Sequence, residues 1–133
     1  MGGRVTFLLD THALLWALTD PERLGPESSR IISARSSRLI ASAASAWEIS
    51  TKQRLGRLPH ADALVGAYPR HLDRLGVVRL PISEEHALLA GGLEWAHRDP
   101  FDRLLAAQAM IESLTLLTKD PAFTGLPGLA TTW

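Results

Sequence analysis

Val5-Thr6-Phe7-Leu8-Leu9-Asp10 is a short apolar run that stops at an acid. It lacks polar–apolar alternation, so it reads as a strand covered on both faces, the pattern of a parallel sheet flanked by helices. A second run, Leu114-Thr115-Leu116-Leu117-Thr118, stops in the same way at Lys119-Asp120. Parallel sheets bind ligands at the carboxyl ends of their strands, so both acids are delivered to the edge where chemistry is expected. Two carboxylates on one edge point to a cation.

Between these runs the chain alternates. After Asp10, residues 11–19 form a short helix apolar on almost every face, ended by Asp20-Pro21. Pro26-Glu27 opens a helix to about Ala34, Arg38-Leu39-Ile40-Ala41 is a short strand, and a helix follows from about Ser42 to Leu55, closed by Gly56. Residues 61–75 are expected as one helix bent at Pro69, and 76–81 as a brief strand. Ser83 caps a helix to about Trp95. Asp99 then caps a helix with Pro100 at its first position and Asp102 in its first turn, with Leu104, Ala107, Ile111 and Leu114 as its buried stripe. The tail 129–133 is a candidate edge strand. Strands separated by helices specify an α/β fold, a largely parallel sheet with helices on both faces.

The totals set bounds on this. A length of 133 residues favours one domain, 1–133, with 46% hydrophobic and 21% charged residues, an ordinary globular composition. The absence of cysteine excludes disulfides, thiolate metal sites and a thiol nucleophile, so any metal is held by oxygen or imidazole. No run is long enough to span a membrane and Met1-Gly2-Gly3-Arg4 leads straight to the first strand, so a cytoplasmic location without membrane association is expected. Zero formal charge argues neither for nor against nucleic acid. The serine-hydrolase elbow, the Walker loop and the dinucleotide fingerprint are all missing.

Four acids remain as the chemistry: Asp10, Glu48, Asp102 and Asp120. Hard divalent cations take oxygen ligands, and four carboxylates suffice for one or two ions. Each acid also has an ordinary structural role. Asp10 fits a helix N-cap, Asp120 a turn starter before Pro121, and Asp102 a helix-dipole acid, while Glu48 fits an i,i+4 partner of Lys52. Asp99 is closer to a cap than to a ligand. His12, His60, His71, His86 and His97 form no zinc-binding pair.

These residues resemble, nearly end to end, a PIN domain of the VapC-type toxin ribonucleases. The motifs that carry the resemblance run in order: Phe7-Leu8-Leu9-Asp10-Thr11-His12-Ala13-Leu14-Leu15-Trp16; Ser45-Ala46-Trp47-Glu48-Ile49; His97 through Ala109, with Asp99-Pro100-Phe101-Asp102-Arg103 at its heart; and Leu116-Leu117-Thr118-Lys119-Asp120. The resemblance implies a three-layer α/β/α fold with a central, mainly parallel sheet of four to five strands. It implies endoribonuclease activity dependent on Mg²⁺ or Mn²⁺, held by Asp10, Glu48, Asp102 and Asp120 with Asp99 nearby. It also implies a small VapB-like antitoxin as partner and a homodimer. Thr11 and Thr118 are expected to orient carboxylates, and Lys52, Arg54, Arg57, Arg98, Arg103 and Lys119 to contact RNA phosphates. The rival readings are a phospho-acceptor domain of the receiver or dehalogenase kind, with Asp10 phosphorylated, and a PIN-like RNA-binding protein whose acids no longer assemble. The densely apolar helix 11–19 is either a partner surface or a helix buried inside the monomer.

Overall fold

All strands of the sheet run in one direction. In the computed structural model, which describes residues 5–59 and 61–133, β1 (Val5–Leu9), β2 (Ser37–Ser42), β3 (Val78–Leu80), β4 (Thr115–Leu117) and β5 (Thr131–Thr132) form one sheet in the order β3-β2-β1-β4-β5. Every neighbouring pair is parallel. The expectations for residues 1–4 and for His60 lie outside the described residues.

Strand pleating explains why the two opening runs lack alternation. Phe7, Leu9, Leu39, Ala41 and Leu117 point into one core; Leu8, Ile40 and Leu116 point into the other. Both faces are covered, so apolar residues follow one another without alternation at 7–9 and 116–117. The first core is closed by α1 (Thr11–Thr19), α2 (Pro26–Ser33) and the pair α4 (Asp62–Gly66) and α5 (Tyr68–Leu75), with Ile49 of α3 (Ala43–Arg54). The second is closed by α7 (Pro100–Glu112), through Leu105, Ala106 and Ala109, and by Phe123 and Leu126. α6 (Glu84–Gly92) packs against α7. The result is the three-layer α/β/α arrangement, with all five strands parallel. No helix among the described residues is long and apolar enough to cross a membrane.

Three expectations are corrected. The helix over 61–75 is two helices, broken at Ala67 with φ −129°, because Pro69 sits in the first turn of α5 and starts a helix more readily than it bends one. The helix expected to reach Trp95 ends at Gly92, and 93–98 takes an irregular path. In α7 the buried residues are the consecutive 105–109, not a stripe, since this helix lies between the sheet and its neighbours; Leu104 and Ile111 are only partly covered. The densely apolar α1 matches neither expectation outright: Thr11, Ala13 and Leu14 are buried, whereas residues 15–18 are half-buried.

The strand order places a crevice. From β1 the chain moves outward to β2 and β3, then returns to the other side of β1 to lay down β4. Connections diverge at the carboxyl ends of β1 and β4, the position where open parallel sheets bind ligands.

Candidate functional site

Asp10 stands at that divergence. Leu9 is paired with Leu117, and the Asp10 N–H donates to the Leu117 carbonyl at 3.1 Å, so the chain leaves β1 still anchored to β4. The Asp10 side chain caps α1, its Oδ1 accepting from the Ala13 N–H at 2.7 Å. Its Oδ2 accepts from the Thr118 hydroxyl at 2.5 Å, and Thr118 Oγ1 in turn accepts from the Asp120 N–H at 3.1 Å. Thr118 therefore orients one acid and fixes the backbone of the other. Asp120 also caps the 3-10 turn Pro121–Gly125 through an Oδ1 bond to the Ala122 N–H at 2.9 Å. Asp10 and Asp120 share the wall of a cavity of about 330 Å³ with His12, Trp16 and Lys119.

Asp10 is buried, and burial raises its carboxyl pKa against the hydrogen bonds from Thr118 and Ala13; the negative charge of Glu48 pushes it further up. Glu48 is the hinge of the arrangement because its charge also acts on Asp102. It is buried on α3, with Oε2 held by the Lys52 ammonium at 2.6 Å. Its Oε1 is buried with no hydrogen-bond partner among the described residues. An unpartnered buried carboxylate oxygen is unfavourable unless something else takes it up.

Asp102 lies in the first turn of α7, which Asp99 caps by accepting from the Asp102 N–H at 3.0 Å. Desolvation, reinforced by the charges of Asp99 and Glu48, raises the Asp102 pKa to about 6 against a hydrogen bond from His97. His97 Nε2 meets Asp102 Oδ2 at 2.7 Å. Its ring packs on Trp95 and Phe123, with centroid separations of 4.9 and 6.5 Å.

Arg103 is turned inward. Its guanidinium donates to the carbonyls of Ala90, Leu93, Trp95 and His97 at 2.6–2.9 Å, tying down the 93–98 segment that carries His97. It is not free to meet a phosphate, and its expected RNA contact is replaced by a scaffolding role. Thr11 likewise touches no carboxylate: its hydroxyl pairs with Ser45 Oγ at 2.9 Å, three residues before Glu48, and so joins α1 to α3. Arg54, Arg57, Arg98 and Lys119 are exposed and form no ion pair among the described residues; Lys52 is committed to Glu48. The His97–Asp102 bond and the Arg103 clamp had no signal in the sequence beyond the nearness of His97 to the acids, since both rest on an irregular segment.

The four acids divide into two adjoining groups, Asp10 with Asp120 on one cavity and Glu48 electrostatically linked to both Asp10 and Asp102. Among the described residues no three acids or imidazoles already converge closely enough to hold an ion by themselves. The vacant lone pairs of Glu48 Oε1 and the crowding of buried carboxylates are what a divalent ion would relieve.

The raised Asp102 carboxyl makes stability pH-dependent. Because its folded pKa of about 6 exceeds the ordinary 3.8, the folded state holds the proton more tightly than the unfolded chain does. Its contribution is therefore fully present below pH 3.8 and is lost as the pH rises through 6. Asp102→Asn, which removes the titration, is expected to raise the melting temperature of metal-free protein at pH 8 by more than at pH 5. The difference, discounted for partial solvent screening, is on the order of 1–2 kcal/mol. Equal shifts at both pH values in thermal melts with chelator would rule this coupling out.

A family model described as PIN domain matches residues 7–129. No curated protein matches the sequence. Among solved structures, VapBC2 from Rickettsia felis bound to a DNA fragment from its promoter is 16% identical, with 97% of this chain and 99% of that chain covered and a TM-score of 0.73. DNA-bound VapBC from Salmonella typhimurium is 19% identical, with 96% and 97% covered and a TM-score of 0.69. A toxin–antitoxin complex from Klebsiella pneumoniae is 19% identical, with 95% and 97% covered and a TM-score of 0.65. At these identities the likeness is one of fold.

Proposed function

The chain belongs to the PIN-domain family, and from that premise we propose that it is a metal-dependent endoribonuclease, the toxin of a toxin–antitoxin pair. On this reading its 133 residues act as a single PIN domain in the cytoplasm. The observation that carries the reading is Glu48, buried with a free Oε1 between two acids, Asp10 and Asp102, whose protons are held unusually tightly. An acid cluster this unfavourable on its own is expected where a cation and a phosphate complete it.

Asp10, Glu48, Asp102 and Asp120 would hold Mg²⁺ or Mn²⁺, with Asp99 as the cap that presents Asp102. A divalent ion there supplies Lewis-acid activation of water and charge neutralisation at the scissile phosphodiester. The chain's own residues position the ligands. Thr118 fixes the rotamer of Asp10, His97 that of Asp102, and Arg103 holds the segment on which His97 rides. Lys52 offsets the charge of Glu48 and holds its Oε2. On this reading water attacks the phosphorus and the 3′-oxygen leaves, so the products are 5′-phosphate and 3′-hydroxyl ends. The phospho-acceptor alternative is disfavoured because no second acid adjoins Asp10 in a D-x-D or paired-acid start and Glu48 would be left without a role.

The fold shared with chains of VapBC complexes supports a small VapB-like antitoxin as partner and a homodimer as the working form. Arg54, Arg57, Arg98 and Lys119, exposed and without ion pairs among the described residues, are the phosphate contacts this reading favours. Purified protein is expected to cut labelled single-stranded RNA in Mg²⁺ or Mn²⁺, to stop on chelation and to resume when the metal is restored. Cleavage that persists unchanged in excess chelator would overturn the metal assignment. Ends carrying a 2′,3′-cyclic phosphate would show attack by the RNA's own 2′-hydroxyl and overturn direct hydrolysis by water.

A further inference from the structure

Trp16 is not accounted for by the acid cluster. This indole on α1 is half-buried and forms part of the wall of two cavities, one of about 330 Å³ containing Asp10 and Asp120 and one of about 610 Å³ running past Arg23 and Arg57. Among the described residues His12 alone joins it in lining both. Two cations lie over the indole ring: Lys119, whose Nζ is 5.0 Å from the centroid and which lines the cavity with the acids, and Arg23, whose Cζ is 5.4 Å away and which lines the larger cavity. Trp133 packs edge-on against Trp16 with centroids 5.9 Å apart, holding the ring upright between the cavities.

We propose that the two cavities are one groove for single-stranded RNA, in which Trp16 stacks a nucleobase beside the acid cluster and Lys119 and Arg23 take the phosphates on either side. The inference rests on the ribonuclease reading and deepens it by naming a binding subsite. An aromatic face set among cations is the chemistry by which proteins hold single strands without reading sequence. The first cavity is of a size to hold one nucleoside. Arg23 lies over the indole and is loosely attended by Asp20 at 3.9 Å, with both side chains well exposed, so it can swing from the ring to a phosphate at little cost and bare that face to a base. Duplex RNA is disfavoured because its bases are stacked on each other and unavailable to an indole.

The test uses full-length protein carrying Asp10→Asn, so that binding is read without cleavage, and a fluorescein-labelled mixed-sequence single-stranded RNA followed by anisotropy. Trp16→Ala is expected to weaken binding by about 10- to 100-fold and Trp16→Phe by much less. Arg23→Ala is expected to leave the fold intact and to lower the slope of log affinity against log salt by about 0.7. Leu88→Ala, on the exposed surface of α6, is the control. In the cleaving protein, Trp16→Phe and Arg23→Ala should raise KM and leave kcat within about threefold. If Trp16→Phe and Trp16→Ala bind as tightly as each other and Arg23→Ala leaves the salt slope unchanged, the groove assignment is wrong. If those variants instead lose only a protein partner in a co-purified complex, the groove is a protein site and the proposal is overturned. Both results would leave the ribonuclease reading standing; loss of that reading would show as an absence of RNA cleavage by the unmutated protein.

Discussion

Asp10→Asn is expected to reduce RNA cleavage by about 10²–10⁴-fold while making the metal-free protein more stable at neutral pH. The two effects share one cause. Asparagine keeps the N-cap, because its Oδ1 still accepts from the Ala13 N–H, and its Nδ2 can donate to the Thr118 hydroxyl that now donates to Oδ2. What disappears is a buried negative charge that Glu48 already disfavours. The expected gain is about 0.5–2 kcal/mol, or a few degrees in melting temperature. Lost activity with raised stability separates the loss of a metal ligand from misfolding. Cleavage by Asp10→Asn within about twofold of the unmutated protein would sink the assignment of Asp10 to the metal, whatever the melt shows.

Arg103→Ala should have the largest effect on stability. Four carbonyls, those of Ala90, Leu93, Trp95 and His97, depend on one guanidinium for their partners. Hydrogen bonds to a charged donor are worth about 1.5–3 kcal/mol each, but they share one side chain and are not additive; a total of about 3–5 kcal/mol is expected. For a chain of this length that is a fall of roughly 10–20 °C in melting temperature. Arg103→Lys should recover little, since an ammonium cannot present the planar fork that reaches several carbonyls at once. Cleavage should fall too, because His97 and through it Asp102 lose their fixed setting. A lysine variant melting within about 2 °C of the unmutated protein would show that the four contacts carry little energy.

Residues whose conformation is decided locally were legible in the sequence. The cap at Asp99 with Pro100 behind it, the β1 run into α1, and the Lys52 partner of Glu48 four residues along the helix all depend on near neighbours. That β1 and β4 are covered on both faces was legible for another reason, since runs without polar–apolar alternation require it; that they are neighbours came from the fold. What could not be read depends on distant contacts. The segment after Gly92 leaves the helix because Arg103 collects its carbonyls, and no residue within it announces that. Buried residues in α7 are contiguous because the helix is enclosed, which periodicity alone does not reveal. Of the site, the strand-end acids followed from geometry, but the bond between His97 and Asp102 required the folded segment.

The insertion of β4 beside β1 has a consequence for the order of assembly. Thr118 meets Asp10 across 108 positions of chain, so the contact that seats the first acid is among the most non-local in the molecule. Closing so long a loop is entropically costly and slow compared with forming the β1–β2 pair. On a ribosome, a nascent chain would already carry Asp10, Glu48 and Asp102 while β4 had yet to emerge, and Asp10 would have no Thr118 to hold it. The contact that seats Asp10 is thus completed only once β4 has been made, so a chain that stops short of β4 lacks it.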